Sequence, residues 1–187
     1  VDLEQYRTPP ELASYLVHVA DLQGDIEDRT VIDLGCGTGM LGLAAALRGP
    51  KRVVGVDIDG SALRTAKENR TRIAARSSVS WVQADATQAP LCLPAETTVI
   101  MNPPFGAQDG NEHADRAFLE TTASIANVSY SIHNAGSGEF VEAFAAGCPV
   151  LATDWNFNAD IVTDGVDGRL FDPHDVRALA SHIRELA

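Results

Sequence analysis

Short apolar runs that alternate with helical patterns constrain the fold of this chain more than any other feature. Each run has the length of a strand and ends in glycine or in a polar residue; the runs are 30–35, 52–57, 79–85, 97–102 and 128–134. Patterns of helical period lie between them, at about 39–48, 60–76 and 114–126. Alternating strands and helices predict an α/β fold with a doubly wound, mainly parallel sheet and three α/β/α layers.

Length and composition favour one domain in a reducing compartment. The 187 residues, 45% of them hydrophobic, suffice for one buried core, so we expect a single domain over 1–187. Cys36, Cys92 and Cys148 are widely spaced and form no CxxC pair, which argues against a disulfide framework or a zinc site. With no apolar run of membrane-spanning length and no secretion signal, we expect a cytoplasmic protein that does not bind membranes.

The net charge of −12 bears on the choice of partner. Proteins that bind nucleic acids usually present a basic surface to the phosphates, whereas the average field of this chain repels them. The excess of acid is typical either of an ordinary acidic cytosolic protein or of a halophilic one, and we favour the second because high salt screens this repulsion. A nucleic-acid substrate therefore requires a local basic patch or a partner subunit.

Polar residues and glycines follow the carboxyl ends of four predicted strands. They are Asp33 with the 35–39 loop, Asp57, Asp85 and Asn102. Doubly wound sheets bind their ligands just beyond the carboxyl ends of the strands, near the point where the strand order reverses. We therefore expect the binding site at this end of the sheet.

The stretch DLGCGTGMLG, residues 33–42, predicts a loop that approaches a ligand closely. Its alternating glycines, Gly35, Gly37 and Gly39, permit a sharp turn before the next helix. The G-x-G-x-x-G spacing that ends at Gly42 also permits a dinucleotide, and Asp57 would suit the ribose of either cofactor. Asp85 favours the alternative, since a carboxylate there can accept from an adenine amino group or hold a cationic ligand. A tight turn without a ligand is the structural alternative.

Asn102, Pro103, Pro104 and Phe105 end the fourth predicted strand. Proline has no N–H group, so the hydrogen-bond ladder stops there and Asn102 is displayed on a rigid backbone. The Asn102 side-chain oxygen and the Pro103 carbonyl can each accept one N–H of an exocyclic adenine amine, and Phe105 can stack on the base. Strand termination alone is the competing interpretation.

The first helix is predicted from TPPELASYLVHVADL, residues 8–22. Thr8 is the candidate N-cap, prolines occupy the first turn, and Glu11 follows three residues after Thr8. We expect this helix to close over the carboxyl ends of the strands.

DLGCGTG, VDID, DAT and NPPFG occur in the order seen in class I S-adenosylmethionine-dependent methyltransferases, which have a Rossmann-like fold. With LEQYRTPPELA, ADRAFL and YSIHNAG, residues 2–146 resemble the methyltransferase-like family that makes N6-methyladenosine in ribosomal RNA. The resemblance implies catalysis at Asn102–Phe105 with no metal. It also implies a set of positions that contact S-adenosyl-L-methionine: Gln5, Thr8, Asp33, Gly35, Gly37, Thr38, Gly39, Met40, Asp57, Asp85 and Ala86.

The same resemblance implies two partners, an RNA substrate and a small zinc-binding activator subunit that covers an exposed sheet edge. If the tail of the chain adds strands at that edge, the site for the activator is lost.

That tail, about residues 140–187, resembles the carboxyl-terminal part of retaining nucleotide-sugar glycosyltransferases. Glu142 matches the later of two glutamates in that pattern, while Asn134 stands in place of the earlier one. A sugar-donor site is incomplete without the missing half, so we do not infer glycosyl transfer. Helices are predicted at 139–147 and 175–187, and strands at 149–154 and 168–171. We interpret the chain as a recombined or engineered chimera in which 147–187 add two strands and a helix to the sheet.

Two functions therefore stay open: an adenine-N6 methyltransferase acting on RNA, and a chimera that folds without catalytic activity. A nicotinamide oxidoreductase is less favoured, because no residue for hydride transfer is readable.

Overall fold

A computed structural model describes residues 8–89, 91, 94, 96–104, 114–133, 150–153 and 168–171. In chain order, the elements are α1 (Pro10–Leu22), β1 (Thr30–Leu34), α2 (Met40–Ala46), β2 (Arg52–Asp57), α3 (Gly60–Thr71), β3 (Ser78–Gln83), β4 (Thr97–Met101), α4 (Ala114–Ile125), β5 (Val128–Ser131), β6 (Val150–Thr153) and β7 (Gly168–Phe171). A short 3₁₀ turn, Ala86–Gln88, follows β3.

The first five strands form one parallel sheet in the order β3-β2-β1-β4-β5. Strand order reverses between β1 and β4, so the loops after these two strands leave the sheet in opposite directions and open a crevice. Every residue of β1 and β4 is buried, which requires cover on both faces of the sheet. The predicted doubly wound α/β fold is therefore confirmed.

The hydrophobic core lies between the sheet and the helices α1 and α2. Ala13, Leu16 and Ala20 of α1 share one cluster with Leu41 of α2 and Val31 of β1, and Ala20 and Val31 are completely buried. Small residues along α1 and α2 let the two helices approach closely. This packing holds the start of α1 near the carboxyl ends of β1 and β4.

Thr8 does not cap α1, which corrects one sequence prediction. The N-cap is Pro9 in an extended conformation, and no side chain caps the helix. Pro10 can take the first helical position without loss, because the N–H at this position has no partner within the helix. The Thr8 hydroxyl instead accepts a hydrogen bond from the Asn102 side chain.

The chain divides into two compact units, Val1–Ile132 and His133–Ala187. In the second unit, β6 and β7 form a two-stranded parallel sheet in which Val150 pairs with Gly168 and Thr153 with Phe171. Both strands confirm the sequence predictions at 149–154 and 168–171. The helices predicted at 139–147 and 175–187 lie outside the described residues, and the single cooperative domain stays a prediction.

Within the part of the chain that the structure describes, no helix combines the length and apolar character needed to cross a membrane.

Candidate functional site

The glycine loop after β1 is held by the neighbouring strand β2. The backbone N–H groups of Gly35 and Cys36 both donate to the Val56 carbonyl, at 2.8 and 3.0 Å. The Gly39 N–H donates to the Cys36 carbonyl at 2.7 Å and closes the turn before α2. The loop is thus fixed at the carboxyl ends of two adjacent strands, where the sequence predicted a ligand site.

Asp57 ends β2 and ties this loop to the next one. Its Oδ2 accepts from the Gly37 N–H at 2.7 Å, and its Oδ1 accepts from the Asp59 N–H at 2.8 Å. The space beside Gly37 is open, since a Cβ atom added there would meet no atom within 4 Å. Each carboxylate oxygen has a second lone pair, so half-buried Asp57 can still accept from two hydroxyls of a ligand.

Trp81 of β3 packs against Gly39 of the loop and Gly55 of β2, a contact that the sequence did not predict. A Cβ atom at Gly39 would lie 2.5 Å from Trp81 Cη2, and one at Gly55 would lie 2.4 Å from Trp81 Cε3. Gly39 also has a φ of 82°, which favours glycine. The indole therefore requires glycine at both positions, a packing reason that adds to the turn chemistry of the loop.

Two further side chains position the loop without being part of it. Asn69 of α3 donates through Nδ2 to the Thr38 carbonyl at 3.1 Å. Phe118 of α4 packs against Gly35, since a Cβ atom added at Gly35 would lie only 2.9 Å from Phe118 Cε1. The sequence did not predict either contact, although Phe118 lies in the ADRAFL stretch, because each contact joins residues distant in sequence.

Asp33 is buried inside the site. It is 1% exposed, and its Oδ2 accepts from the Gly42 N–H at 2.7 Å, which anchors the first turn of α2. Burial raises the pKa of Asp33 from 3.8 to about 7, against the opposing effect of the Gly42 hydrogen bond. The geometry makes Asp33 an anchor for the glycine loop.

We predict that this carboxyl makes stability depend on pH. Because the folded-state pKa lies above the unfolded value, the folded protein keeps a proton between about pH 4 and 7 that the unfolded chain releases. The contribution of Asp33 to the free energy of unfolding therefore falls as the pH rises through this window, by up to about 1.4 kcal/mol per pH unit. The asparagine side chain cannot ionise, so in denaturant unfolding the free energy of unfolding of Asp33→Asn, relative to that of the parent, should rise from pH 4 to pH 7.

The exposed Glu27→Gln controls for the loss of one negative charge. A difference between Asp33→Asn and the parent that stays constant from pH 4 to 7 would contradict the prediction.

The 3₁₀ turn after β3 places Asp85 and Ala86 beside the same loops. Asp85 Oδ1 accepts from the Thr87 N–H at 2.9 Å and from the Thr87 hydroxyl at 2.7 Å, while Ala86 is buried. Both Asp85 bonds use one oxygen, so its exposed carboxylate keeps acceptor capacity at Oδ2. Met40 begins α2 and is partly buried against the core.

Asn102 follows β4, directly across from the glycine loop. Leu34 pairs with Met101 in the sheet, so Gly35 and Asn102 follow neighbouring residues of adjacent strands. Asn102 Nδ2 donates to the Thr8 hydroxyl at 3.0 Å. Asn102 Oδ1 is buried and has no hydrogen-bond partner among the residues that the structure describes.

A buried amide oxygen without a partner costs about 1–3 kcal/mol, and such groups are rare in folded proteins. In this orientation of the amide Nδ2 faces the Thr8 hydroxyl, and Oδ1 is the end left to accept from a ligand. The sequence did not predict the contact between Asn102 and Thr8.

The other residues predicted around Asn102 are placed as follows. Pro103 is buried and Pro104 is partly buried, whereas Gln5 and Phe105 lie outside the described residues.

Comparisons with known families divide the chain into two parts. The family described as methyltransferase small domain matches residues 13–127. The family of glycosyl transferases group 1 matches residues 110–187, which agrees with the resemblance seen in the tail.

Relatives and solved structures agree with the first match. The rRNA N(6)-adenosine-methyltransferase Mettl5 of Drosophila melanogaster is 35% identical over 166 residues, which are 87% of this chain and 74% of the relative. A Methanocaldococcus jannaschii protein of uncharacterized function is 36% identical over 149 residues, and the match covers 75% of this chain and 65% of that protein. A structure of a candidate RNA methyltransferase from Pyrococcus horikoshii, 40% identical, superposes with a TM-score of 0.67 over 76% of this chain and 70% of that one.

Proposed function

Because the chain belongs to the methyltransferase small domain family, we propose that it transfers a methyl group from S-adenosylmethionine to the N6 nitrogen of an adenine in RNA. The observation that carries the proposal is the Asn102 side chain, whose buried Oδ1 has no partner among the described residues and stands opposite the glycine loop. The rRNA N(6)-adenosine-methyltransferases that the chain resembles support the same reaction.

The residues present fit S-adenosylmethionine. The open space beside Gly37 admits the cofactor against the backbone, and Asp57 offers two carboxylate oxygens to a ribose. Asp85 keeps an oxygen for an adenine amino group. Gln5, Thr38, Gly39, Met40 and Ala86 complete the proposed set, and Asp33 acts through the loop that it anchors. When bound, the cofactor supplies an electrophilic methyl group on a positively charged sulfur.

The chain's own task is to orient the adenine amine. The lone pair of an exocyclic amine is delocalised into the ring, so the amine is a poor nucleophile. Two acceptors, Asn102 Oδ1 and the Pro103 carbonyl, would each take one N–H and direct the lone pair away from the ring. Pro104 keeps the pair rigid, and Phe105 is proposed to stack on the base. Such positioning requires neither a strong base nor a metal.

The test is methyl transfer to RNA followed by digestion to nucleosides. We expect N6-methyladenosine, formed only with S-adenosylmethionine present. Absence of methylation on every RNA offered, including small-subunit ribosomal RNA, would contradict the function and leave the inactive chimera as the explanation.

Thr8 is proposed to position Asn102, in addition to its place near the cofactor. Its hydroxyl accepts from Asn102 Nδ2 at 3.0 Å, so it holds the amide with Oδ1 free to accept. Thr8→Val keeps the shape but removes the acceptor, and we expect kcat to fall about tenfold, the effect of losing one hydrogen bond of roughly 1.4 kcal/mol. Thr8→Ser retains the hydroxyl and should restore most of the rate.

Calorimetric titration with S-adenosylmethionine separates the two roles of Thr8. If Thr8→Val weakens cofactor binding but leaves kcat unchanged, the residue is a cofactor contact and the positioning role is wrong.

Four finer points are also proposed. Ribosomal RNA is the expected substrate class, on the names of the relatives. A small zinc-binding activator would assist, unless the tail has replaced its site. A cytoplasmic location in a high-salt organism is proposed on the widely spaced cysteines and the excess of acidic residues. The chimeric origin of the tail is proposed on the second family match.

A further inference from the structure

The positive charges of this acidic chain are concentrated in one segment. Residues 48–76 contain eight of the 14 Lys and Arg but only three of the 26 Asp and Glu. The segment therefore carries a net charge of +5, and the rest of the chain carries −17. The distribution of charge bears on binding rather than on the fold. A uniformly acidic surface would repel RNA everywhere, whereas this segment can attract it.

Two of these eight cations have structural partners, so their charges are engaged within the chain. Arg48 forms an ion pair with Asp21. The Arg70 guanidinium donates to the carbonyls of Ile73 and Ala75, at 3.3 and 3.0 Å, and closes the end of α3.

The other six cations are exposed, and we call them the basic surface: Lys51, Arg52, Arg64, Lys67, Arg72 and Arg76. Four of them have no side-chain hydrogen bond or ion pair to any residue that the structure describes; these are Lys51, Arg64, Lys67 and Arg76. Among the residues with described positions, the Arg52 side chain donates to the Thr30 hydroxyl alone, at 3.3 Å, and the Arg72 side chain to Asn69 Oδ1 alone, at 3.5 Å. Their charges are therefore available to a partner.

The fold places these residues along α3 and at the amino ends of β2 and β3. Arg52 begins β2 and pairs in register with Ser78, the first residue of β3, so Lys51 and Arg76 flank the amino ends of two adjacent strands. The 12-residue helix α3 connects these strands and spans about 18 Å from the carboxyl ends to the amino ends. Arg64 and Lys67 lie along its exposed side, with Glu68 as the one acid among its helical residues.

We infer that the basic surface, along α3 and at the amino ends of β2 and β3, binds phosphates of the RNA substrate whose target adenine lies at the carboxyl ends of the strands. The inference rests on the proposed function and adds where the nucleic acid lies. α3 begins three residues after Asp57, so its basic side leads from the carboxyl ends of the strands, where the proposed site lies, toward their amino ends. Local concentration of charge also suits high salt, where screening within about 3 Å at 1 M leaves only direct contacts effective.

The experiment compares RNA affinity across a salt series for the parent and for the variant Lys51→Gln, Arg64→Gln, Lys67→Gln and Arg76→Gln combined. The probe is a short single-stranded, adenosine-rich RNA, and cofactor affinity is measured in parallel as a check on folding. We expect at least tenfold weaker RNA binding and an unchanged affinity for S-adenosylmethionine. The slope of log affinity against log salt should become shallower by about 0.7 for each RNA phosphate that the variant no longer neutralises.

A matched pair of single variants guards against a fold defect in the combined one. Arg64→Gln and Arg48→Gln remove the same charge from the same residue type, but only Arg64 belongs to the basic surface. Arg64→Gln should lower both RNA affinity and the salt slope, whereas Arg48→Gln should lower neither.

RNA affinity and slope equal to those of the parent, with methylation intact, would overturn the inference alone; the surface would then be one for an acidic protein. Failure of the parent to bind any RNA would overturn the proposed function and this inference together.

Discussion

Asn102→Ala should reduce kcat for methyl transfer to RNA by about 10²–10³-fold, the loss typical of removing one aligned group that acts in the transition state. The substitution removes Oδ1, the acceptor that is buried without a partner among the described residues. Among the described residues, no hydrogen bond of the glycine loop involves this side chain, so affinity for S-adenosylmethionine should change by less than about threefold. Single-turnover methylation and calorimetric titration measure the two quantities.

Asn102→Asp sharpens the test. A carboxylate keeps the acceptor but cannot donate to the Thr8 hydroxyl, so Thr8 must reverse its role and donate. We expect an activity between those of the parent and Asn102→Ala. Equal kcat in the parent and Asn102→Ala would exclude the proposed role of Asn102.

Asp57→Ala should weaken S-adenosylmethionine binding by about 10- to 100-fold. The variant loses the acceptor proposed for the ribose and leaves the N–H groups of Gly37 and Asp59 without their present partner. Each hydrogen bond to a charged group contributes about 1.5–3 kcal/mol, and part of that loss is recovered by water at this half-buried site. Calorimetry on the purified protein gives the affinity directly.

Asp59→Ala is the control for this second prediction. Asp59 caps α3 through its side chain, which accepts from the Ser61 N–H at 2.7 Å, while its backbone N–H to Asp57 survives the substitution. The control should cost about 1 kcal/mol of stability and little affinity. If the two variants bind the cofactor equally well, Asp57 is a structural residue only.

Two features of the fold could be predicted from the sequence because they are recorded locally. Apolar runs of strand length and helical periods between them predicted the parallel sheet, and the helices observed begin and end within a few residues of the predicted ranges, apart from α3. α3 ends at Thr71, five residues before the predicted end, because Arg70 closes the segment onto the carbonyls that follow. Such a cap depends on a side chain folding back, which periodicity does not record.

The candidate site was predictable in outline for the same reason. Glycines at 35, 37 and 39, an acid at the end of β2 and Asn-Pro-Pro at the end of β4 are each short motifs, and the parallel topology alone brings strand ends together. The sequence therefore indicated which strand ends form the candidate site, while the roles of the individual residues stay predictions. The concentration of positive charge around α3 is also visible in the sequence. The structure adds where this charge lies, along α3 and at the amino ends of β2 and β3.

Only the tertiary structure decided how these residues are held. Trp81 beneath Gly39, Phe118 against Gly35 and the bond from Asn102 to Thr8 across 94 residues join positions that no sequence period relates. The protonation of Asp33 is decided in the same way, since its pKa of about 7 follows from complete burial. These contacts depend on the rotamers and packing of elements distant in the chain, and such distances become defined only when the sheet and helices are assembled.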